Sequence, residues 1–579
     1  MTLLLLLVAG KAARIQVAEA NRTLLGPNVY VFDAGMAASD IQQTAQGVFK
    51  KMEANQFGPE RVALLFKPGA YHAAFDVGFY TQVAGLGQNP DDVQIDGATN
   101  VPANWMRNAN ATCNFWRSFE NYAVTPSSNQ GILQIAVSQA APLRRLHVKG
   151  DLQLFAWSSR HTAGWASGGF LADSLVDGKV DSGSQQQWLS RNDRWSNWTG
   201  SNWNMVFVGC QNAPAGAFPN PGYTVVDKTP VIREKPYLYV DKKGSFRVFV
   251  PGLRRETSGV SWASKATPGS SISLDRFYVA RPETSTATEI NQALAEGKHL
   301  LFTPGIYRLD KPLQVTHPNT IVMGLGFATL IPTTGQSALS VADVDGVKVA
   351  GLIVDAGPVK SPVLVEVGTA KTKSRHSSNP TCLYDVTVRT GGATGGSNDD
   401  ELRIWSNDVL CDQLWLWRAD HGAHARWADN VSKHGLVVDG DNVTIYGLFN
   451  EHHEEYQTLW SGEDGRVYMY QSEMPYDVPD QASWGTGFAA YKVGDKVARH
   501  EAWGIGVYCY FRDAAVKANA AIEAPAGPGV RFHNLTTIWL NGRRGSEITH
   551  IIDQSGIAAT SEAHRQTLNE YPSGIGHGR

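Results

Sequence analysis

Two glutamates, Glu451 and Glu473, have the residue type and the spacing that acid–base chemistry requires. Glu473 ends an aromatic, strand-like run, VYMYQSE, and Glu451 lies 22 residues earlier, in FNEHHEEYQ. This spacing is about one coil of a solenoid of short strands, which would let both carboxyl groups face one groove. Carboxyl pairs about 5–5.5 Å or about 6.5–9.5 Å apart cleave glycosidic bonds with retention or inversion. The alternative for Glu473 is an exposed charge at a strand end.

Two uncharged side chains, Gln139 in SQAAP and Ser167 in WASGG, are also spaced by about one coil. Amide and hydroxyl groups can hold a water molecule without titrating, although ordinary polar strand positions would give the same pattern. Between Trp157 and Trp203 the sequence carries six tryptophans. Saccharide rings stack on such flat apolar surfaces, and loop packing on the flank of a solenoid is the other interpretation. We expect this stretch to contain some of each.

The sequence predicts no metal and no cofactor. In His452-His453-Glu454-Glu455 the spacing H-E-x-x-H would need a second histidine where Gln457 stands, and neighbouring strand residues point to opposite faces. The motifs G-x-S-x-G, G-x-x-x-x-G-K-[ST] and G-x-G-x-x-G are missing, which argues against acyl transfer and phosphate binding. Five cysteines include no C-x-x-C pair, which argues against a zinc ribbon and leaves room for one or two disulfides.

The composition is that of a folded chain rich in turns. Of 579 residues, 42% are hydrophobic and 18% are charged, which argues against disorder and against a charged coiled coil. The 57 glycines suit turns between short strands. A net charge of −3 gives no electrostatic reason to bind nucleic acid or an anionic membrane. We expect neither partner, and we expect a monomer.

An internal repeat indicates the architecture. Residues 63–71, ALLFKPGAY, recur at 299–307 as HLLFTPGIY, and each copy follows an apparent helix. A β-sandwich would also give many short strands, but this opening resembles the cap and first coil of a parallel β-helix. We therefore predict an all-β fold of two tandem parallel β-helices joined by a proline-rich connector. The predicted domains are an N-terminal β-helix at 21–210, a connector at 211–275 and a C-terminal β-helix at 276–579.

The first residues have the pattern of an export signal. The apolar run at 3–9 is shorter than the about 20 residues that span a bilayer, and AEA at 18–20 has the form of a cleavage site. The charged n-region is missing and two basic residues precede that site, which makes the signal a weak one. We expect residues 1–20 to be a leader segment and the protein to be secreted.

Four longer phrases extend the argument: TPVIREKPYLYVD, FVPGLRRETSGVSW, LWLWRADHG and GRVYMYQSEMPYDVP. Together with the repeat, they resemble glycoside hydrolase family 55, the exo-β-1,3-glucanases or laminarinases, in the compact bacterial-type form. The resemblance runs from about residue 25 to the C-terminus. It implies two right-handed, pectate-lyase-like β-helices with the active site in the groove between them. It also implies inverting hydrolysis of β-1,3-glucan that releases glucose from the non-reducing end.

The resemblance implies roles for individual residues of this sequence. Glu473 matches the general acid, with a pKa raised by desolvation, and Glu451 matches the second acidic residue of the groove. Gln139 and Ser167 match the residues that position the nucleophilic water. The implied substrate contacts are Asp420, His421, Trp460, Tyr470 and Trp484.

Two other functions stay open from the residues alone. A polysaccharide lyase on the same solenoid would need convergent acidic residues and a basic residue to abstract a proton, and SNDDELRIW at 397–405 is its candidate segment. A non-catalytic, carbohydrate-binding β-helix would keep an aromatic groove but would not need Glu473. Incubation with laminarin and with polygalacturonate separates the three functions, because the products are glucose, an unsaturated uronide or nothing.

Overall fold

The computed structural model describes residues 24–127, 129–263, 267–372 and 374–573. Within these ranges the strands form two parallel β-helices in tandem, with a small set of antiparallel strands between them. The prediction of an all-β fold built from two tandem β-helices is therefore confirmed. The predicted leader at 1–20 lies outside the described residues.

The first β-helix contains one helix and the first eighteen strands of the described chain. The helix is α1 (Ala38–Met52), and the strands are β1 (Val29–Phe32), β2 (Val62–Phe66), β3 (Gly69–Asp76), β4 (Thr81–Gly85), β5 (Val93–Asn100), β6 (Arg117–Pro126), β7 (Ile132–Gln134), β8 (Pro142–Val148), β9 (Asp151–Gln153), β10 (Trp157–Ser159), β11 (Thr162–Ala163), β12 (Phe170–Ala172), β13 (Leu175–Val176), β14 (Lys179–Asp181), β15 (Gln187–Arg191), β16 (Asn197–Thr199), β17 (Asn204–Val208) and β18 (Tyr223–Val226).

Five strands connect the two β-helices, and they pair in antiparallel fashion. They are β19 (Thr229–Ile232), β20 (Tyr237–Val240), β21 (Phe246–Pro251), β22 (Arg254–Thr257) and β23 (Gly269–Ser273). Because β18 still pairs with β17 in the first parallel sheet, that sheet continues past residue 211, where the sequence analysis places the start of the connector.

The second β-helix contains the remaining described helices and strands. They are β24 (Phe277–Ala280), α2 (Ala287–Ala295), β25 (His299–Phe302), β26 (Ile306–Leu309), β27 (Leu313–Val315), β28 (Ile321–Gly324), β29 (Thr329–Pro332), β30 (Leu339–Val341), β31 (Lys348–Ala350), β32 (Ile353–Asp355), β33 (Ser361–Val367), β34 (Cys382–Thr390), β35 (Asn398–Ile404), β36 (Leu410–Arg418), β37 (Ser432–Val438), β38 (Thr444–Glu451), β39 (Thr458–Trp460), β40 (Gly465–Glu473), α3 (Gln481–Trp484), β41 (Tyr491–Val493), β42 (His500–Cys509), β43 (Lys517–Glu523), β44 (Val530–Trp539), β45 (Glu547–Ile552) and β46 (Arg565–Tyr571).

The two copies of the sequence repeat occupy corresponding places in separate sheets. The first copy forms β2 and β3, and the second copy forms β25 and β26. Each is preceded by a helix that buries its apolar face in the core of its own β-helix, through Ile41 and Ala45 in α1 and through Ile290 and Leu294 in α2. The spacing of these residues, i and i+4, places them on one helical face. The tandem interpretation of the repeat is thus consistent with the described strands.

The two β-helices pack side by side, and buried ion pairs cross their contact. Arg144 of β8 pairs with Asp385 at 2.6 Å and with Asp412 at 2.5 Å, while Arg191 of β15 pairs with Asp412 at 2.9 Å. Lys235, in the connector, bridges the two β-helices by pairing with Glu120 at 2.9 Å and with Asp385 at 3.1 Å. These side chains are at most 6% exposed, so each charge depends on its partner for solvation. The pairs therefore fix how the two solenoids align.

Candidate active site

The predicted acid pair lies on neighbouring coils of the second β-helix. Glu451 is the last residue of β38, Glu473 is the last residue of β40, and the two are direct register partners in the parallel sheet. Neighbouring strands lie about 4.8 Å apart, which places the two carboxyl groups side by side. The spacing of 22 residues thus corresponds to one coil.

Each carboxyl group has its own hydrogen-bond donors. Glu451 accepts from the Trp415 indole at 2.9 Å and from the Gln139 amide at 3.2 Å. Glu473 accepts from the Gln471 amide at 3.1 Å and contacts the Tyr476 hydroxyl. An indole N–H can only donate, whereas a tyrosine hydroxyl can donate or accept. The surroundings of Glu451 therefore favour a carboxylate, and those of Glu473 also suit a protonated acid.

The electrostatics of the pair agree with this division. Burial raises the pKa of Glu473 well above its usual range, and the negative charges of Glu451 and Asp420 raise it further. Burial also raises the pKa of Glu451, to about 8, although its hydrogen bond from Trp415 acts in the opposite direction. Two buried carboxyl groups side by side cannot both ionise at low cost, so the pair retains a proton at neutral pH. We place that proton on Glu473.

The first β-helix supplies the two uncharged residues. Gln139 lies in the turn before β8, and its side-chain oxygen accepts a hydrogen bond of 3.0 Å from the Ser167 hydroxyl. Gln139 has a φ of 37°, a left-handed value that costs energy for a residue with a Cβ, and the Gln413 amide donates to its carbonyl oxygen at 3.1 Å. The structure thus brings Gln139 and Ser167 together, and Gln139 reaches Glu451 across the contact between the β-helices.

Asp420 and His421 form an ion pair at the same groove. The carboxylate of Asp420 lies 2.9 Å from Nδ1 of His421. Burial alone would lower the pKa of His421, but Asp420 outweighs it and raises this pKa to about 10. Burial would raise the pKa of Asp420, yet His421 holds it below its usual range. His452, whose pKa is lowered by burial, lies between Asp420 and Glu473, at 3.7 Å and 3.9 Å.

A cavity of about 260 Å³ unites these groups. Aromatic rings form much of its wall, with Phe115 4.7 Å from Trp415 and Trp415 5.1 Å from Trp417 between ring centroids. The remaining lining residues are Thr112, Cys113, Gln139, Ser167, Gln186, Asp420, His421, Glu451, His452, Glu473, Tyr476 and Leu540. Six of the nine residues named in the sequence analysis line it: Glu473, Glu451, Gln139, Ser167, Asp420 and His421.

The other three predicted substrate contacts need correction. Trp460, Tyr470 and Trp484 are at most 2% exposed and belong to the core of the second β-helix. Side chains of a strand alternate between faces, so Tyr470 points inward while Gln471 and Glu473 point to the groove. A side chain inside the solenoid cannot reach a sugar in the groove. These three residues therefore pack in the core of the second β-helix and do not contact the substrate.

The sequence analysis missed aromatic residues that the sequence does signal. In LWLWR the two tryptophans alternate, and Trp417 is the register partner of Glu451 on the preceding coil. Alternation and the coil spacing together would have placed Trp415 and Trp417 on the groove face. His452 was considered only as a metal ligand, and its neighbour His453 is buried on the other side, near Glu401 at 3.9 Å.

The remaining predictions concern disulfides, metals and the lyase segment. All five cysteines are free, so no disulfide forms. Among the described residues no group of His, Cys, Asp and Glu side chains is arranged to hold a metal ion. The lyase segment forms β35 in a different sheet, where Asp399 pairs with Lys360 and Asp400 with Arg403. Within the described ranges no helix is long and apolar enough to cross a membrane.

Comparisons with known proteins agree with this geometry. The family model of the LAM55 pectate lyase-like domain matches residues 277–473. An exo-beta-1,3-glucanase from Streptomyces sp. (strain SirexAA-E / ActE) is 49% identical over 538 residues, which are 92% of this chain and 87% of the relative. The structure of sacteLam55A from Streptomyces sp. SirexAA-E superposes with a TM-score of 0.91 at 47% identity, over 95% of this chain and 99% of that chain. A variant of sacteLam55A with a glutamate changed to alanine, in complex with glucose, superposes with the same TM-score and identity, over 95% and 98%.

Proposed function

This chain belongs to glycoside hydrolase family 55, the Lam55-type exo-β-1,3-glucanases, and from that premise we propose how its groove cleaves β-1,3-glucan. The chain is a glycoside hydrolase that releases glucose from β-1,3-glucan. Its groove binds the non-reducing end of the glucan, and two carboxyl groups with a positioned water carry out the cleavage. The single observation that carries this assignment is the register pairing of Glu451 with Glu473 at the wall of the cavity.

Glu473 is the general acid. Cleavage of a glycosidic bond leaves a sugar alkoxide, a poor leaving group that must receive a proton as the bond breaks. Burial and the neighbouring charges of Glu451 and Asp420 raise the pKa of Glu473, so it holds a proton at neutral pH. The side chain is still 10% exposed, so the proton faces the groove and not the core. Tyr476 and Gln471 fix the orientation of the carboxyl group.

Gln139 and Ser167 of the first β-helix hold the attacking water, and Glu451, which lies beside Glu473, orients them. The Gln139 amide donates to Glu451 and its oxygen accepts from Ser167, so the three groups form one connected chain. The Ser167 hydroxyl oxygen keeps an acceptor position for a water proton. Ionised Glu451 supplies the negative charge that favours loss of that proton and stabilises the oxocarbenium-like transition state. Attack by this water from the side of the first β-helix, on the face of the sugar away from the leaving group, gives inversion at the anomeric carbon.

The size of the cavity supports exo-action. Its volume of about 260 Å³ lies just below the usual range for small-molecule pockets, about 300–1,000 Å³, which suits a single sugar ring. Trp415 and Trp417 form an apolar inner wall of the cavity, and because each is at most 2% exposed they shape it and hold Glu451 through the Trp415 indole. The ion pair of Asp420 and His421 presents charged groups to the sugar hydroxyls.

Product analysis tests the reaction. The protein should release glucose from laminarin as its main early product, and proton NMR should detect the α-anomer before mutarotation. Appearance of the β-anomer first would establish retention and would make Glu451 the nucleophile. Release of longer oligosaccharides from the start would contradict exo-action, and no hydrolysis would contradict the function itself.

The location of the protein follows from the substrate. β-1,3-Glucan is a polymer too large to enter a cell intact, so its hydrolysis is useful outside the cell. Together with the leader-like residues 1–20, this supports secretion. Fractionation of a culture tests the proposal, because activity confined to the cell pellet would contradict it.

A further inference from the structure

Each turnover of the proposed reaction removes the proton of Glu473. The glycosidic oxygen takes that proton as the C–O bond breaks, while the attacking water gives up its own proton on the side of Gln139 and Ser167. The next cleavage needs a protonated acid, so Glu473 must take up a proton from solvent between two cleavages. Its side chain is 10% exposed, which leaves little contact with water. A neighbouring group that carries protons would therefore speed this step.

His452 lies next to Glu473 and has the chemistry to carry a proton. It lines the catalytic cavity, and its side chain is 3% exposed. Nδ1 of the ring lies 3.3 Å from the carbonyl oxygen of Met474. Because a carbonyl oxygen only accepts hydrogen bonds, the neutral ring has its proton on Nδ1 and a free lone pair on Nε2. Nε2 faces two carboxyl groups, Asp420 at 3.7 Å and Glu473 at 3.9 Å.

The backbone and Tyr476 hold the ring of His452 in this place. His452 has a φ of 69°, a left-handed value that costs energy for a residue with a Cβ. Its N–H donates to the Glu473 carbonyl at 2.8 Å, and its carbonyl accepts from Arg418 at 3.1 Å. The ring packs edge-on against Tyr476, with the centroids 4.3 Å apart. A movement of about 1 Å brings Nε2 within hydrogen-bond distance of Glu473.

The charges around His452 favour proton uptake after Glu473 has lost its proton. Burial lowers the pKa of His452, and the charge of Asp420 acts in the opposite direction. Once Glu473 is also a carboxylate, two negative charges face Nε2, so the pKa of the ring rises. Burial holds the pKa of Glu473 well above its usual range, so the proton then passes on to this carboxyl group.

The other charges near the ring largely cancel. Asp477 and Arg418 pair with each other at 2.9 Å. The titratable and charged groups that face His452 are Asp420, Glu473, Tyr476, Asp477, Arg418 and, on the far side of Asp420, His421. Glu473 is the member of this set whose charge changes during the proposed reaction, so the state of the ring follows the state of the acid.

We propose that His452 returns the proton to Glu473 after each cleavage. In the emptied groove an acid from solvent, hydronium or a buffer ion, protonates Nε2. The N–H bond at Nε2 then breaks as the O–H bond on Glu473 forms, and the ring is neutral again. One proton enters here for the one that the attacking water releases on the other side of the sugar, so the cycle balances. This inference rests on the proposed function, in which Glu473 is the general acid.

The variant His452→Asn removes the proton carrier and conserves the local structure. Asparagine tolerates a positive φ, and its amide can still donate to the Met474 carbonyl, whereas nothing replaces Nε2. On laminari-oligosaccharides we expect kcat to fall by at least about tenfold. The ratio kcat/KM covers only the steps through bond cleavage, so it should change by less than about twofold. Rapid quenching should detect a first glucose per active site, formed at the wild-type rate, before slow turnover.

Three controls separate proton return from a distorted groove. An aryl β-glucoside with a good leaving group needs no proton from Glu473, so kcat of His452→Asn on it should stay within about twofold of the wild type. Imidazole added to the buffer supplies a small acid, and it should restore at least about half of the lost kcat on laminari-oligosaccharides. In the Glu473→Gln background there is no acid to reload, so His452→Asn should have no further effect.

Several outcomes would overturn this role of His452. An unchanged kcat of His452→Asn on laminari-oligosaccharides would mean that the proton returns by another route, such as from Glu451. Equal losses on both substrates, or a loss in kcat/KM, would reflect a change in the shape of the groove. Failure of imidazole to restore turnover would exclude a missing proton carrier. Near wild-type hydrolysis of laminarin by Glu473→Gln would instead overturn the proposed function, which separates the two failures.

Discussion

Replacement of Glu473 by glutamine tests the central assignment, because it removes the transferable proton and nearly conserves shape. General acid catalysis contributes about 10²–10⁴-fold, and a sugar alkoxide needs the upper end of that range. We expect kcat on laminari-oligosaccharides to fall by about 10³–10⁴-fold, which corresponds to about 4–5.5 kcal/mol of transition-state stabilisation. Binding should survive, because the aromatic wall and the partners of Glu451 remain.

The leaving group separates a lost acid from a distorted site. An aryl β-glucoside with a good leaving group needs little protonation, so Glu473→Gln should lose no more than about tenfold on it. Glu451→Gln, the matched control on the neighbouring coil, acts on the water side and should lose equally on both substrates. Near wild-type hydrolysis of laminarin by Glu473→Gln, or equal losses on both substrates, would refute the assignment.

The same variant should also change how the stability of the protein depends on pH. A carboxyl group whose pKa is raised on folding stabilises the protein below its unfolded pKa of about 4.3, and this contribution is lost as the pH rises through the folded pKa. Glutamine stays neutral, so the free energy of unfolding of Glu473→Gln should equal that of the wild type at pH 4. At pH 7 it should be higher than that of the wild type, by at most about 1.4 kcal/mol per pH unit. Calorimetry checks this, and a variant less stable than the wild type at pH 7 would contradict the buried, protonated acid.

Four further substitutions test other parts of the structure. Asp412→Ala removes a carboxylate that buried Arg144 and Arg191 share, although each arginine keeps a second partner, and should lower the free energy of unfolding by about 3 kcal/mol in urea denaturation. Gln139→Ala should lower kcat by about 10²-fold without rescue by an aryl leaving group, and an unchanged kcat would exclude a role in holding water. Trp460→Ala should cost about 3–5 kcal/mol of stability and leave KM unchanged, whereas a substrate contact would raise KM. Asp420→Asn should lower the pKa of His421 from about 10, and an unshifted imidazole titration in NMR would exclude the ion pair.

The sequence carried enough information for the fold and for half of the site. The repeat and the short strands predict two tandem solenoids, and each copy of LLFxPGxY follows a helix and forms the second strand of its sheet. The spacing of Glu451 and Glu473 translates directly into neighbouring coils, since the coil length is set within one β-helix. The prediction for Tyr470 is wrong because alternation from Glu473 places it on the inner face of β40. Met469, with a φ of 65°, interrupts the alternation only before that point.

The other half of the site depends on packing that one sequence does not reveal. Gln139 and Glu451 are 312 positions apart, and which coils of the two β-helices meet is decided by side chains at their contact. No periodicity within either solenoid encodes this alignment. For Gln139 and Ser167 the resemblance to a family, and not the spacing, supplied the useful prediction. Trp417 shows the opposite case, since alternation in LWLWR and the spacing to Glu451 are enough to place it on the groove face.

The same strands build both the catalytic groove and the contact between the two β-helices. β8 carries Arg144 shortly after Gln139, and β36 carries Asp412 three residues before Trp415. The ion pair of Arg144 with Asp412 therefore locks together the two segments that supply both donors to Glu451. Because the site needs groups from both solenoids, neither can be catalytic alone. The buried charges, which cost desolvation energy, are thus placed where a small misalignment would separate the water-holding residues from the acid pair.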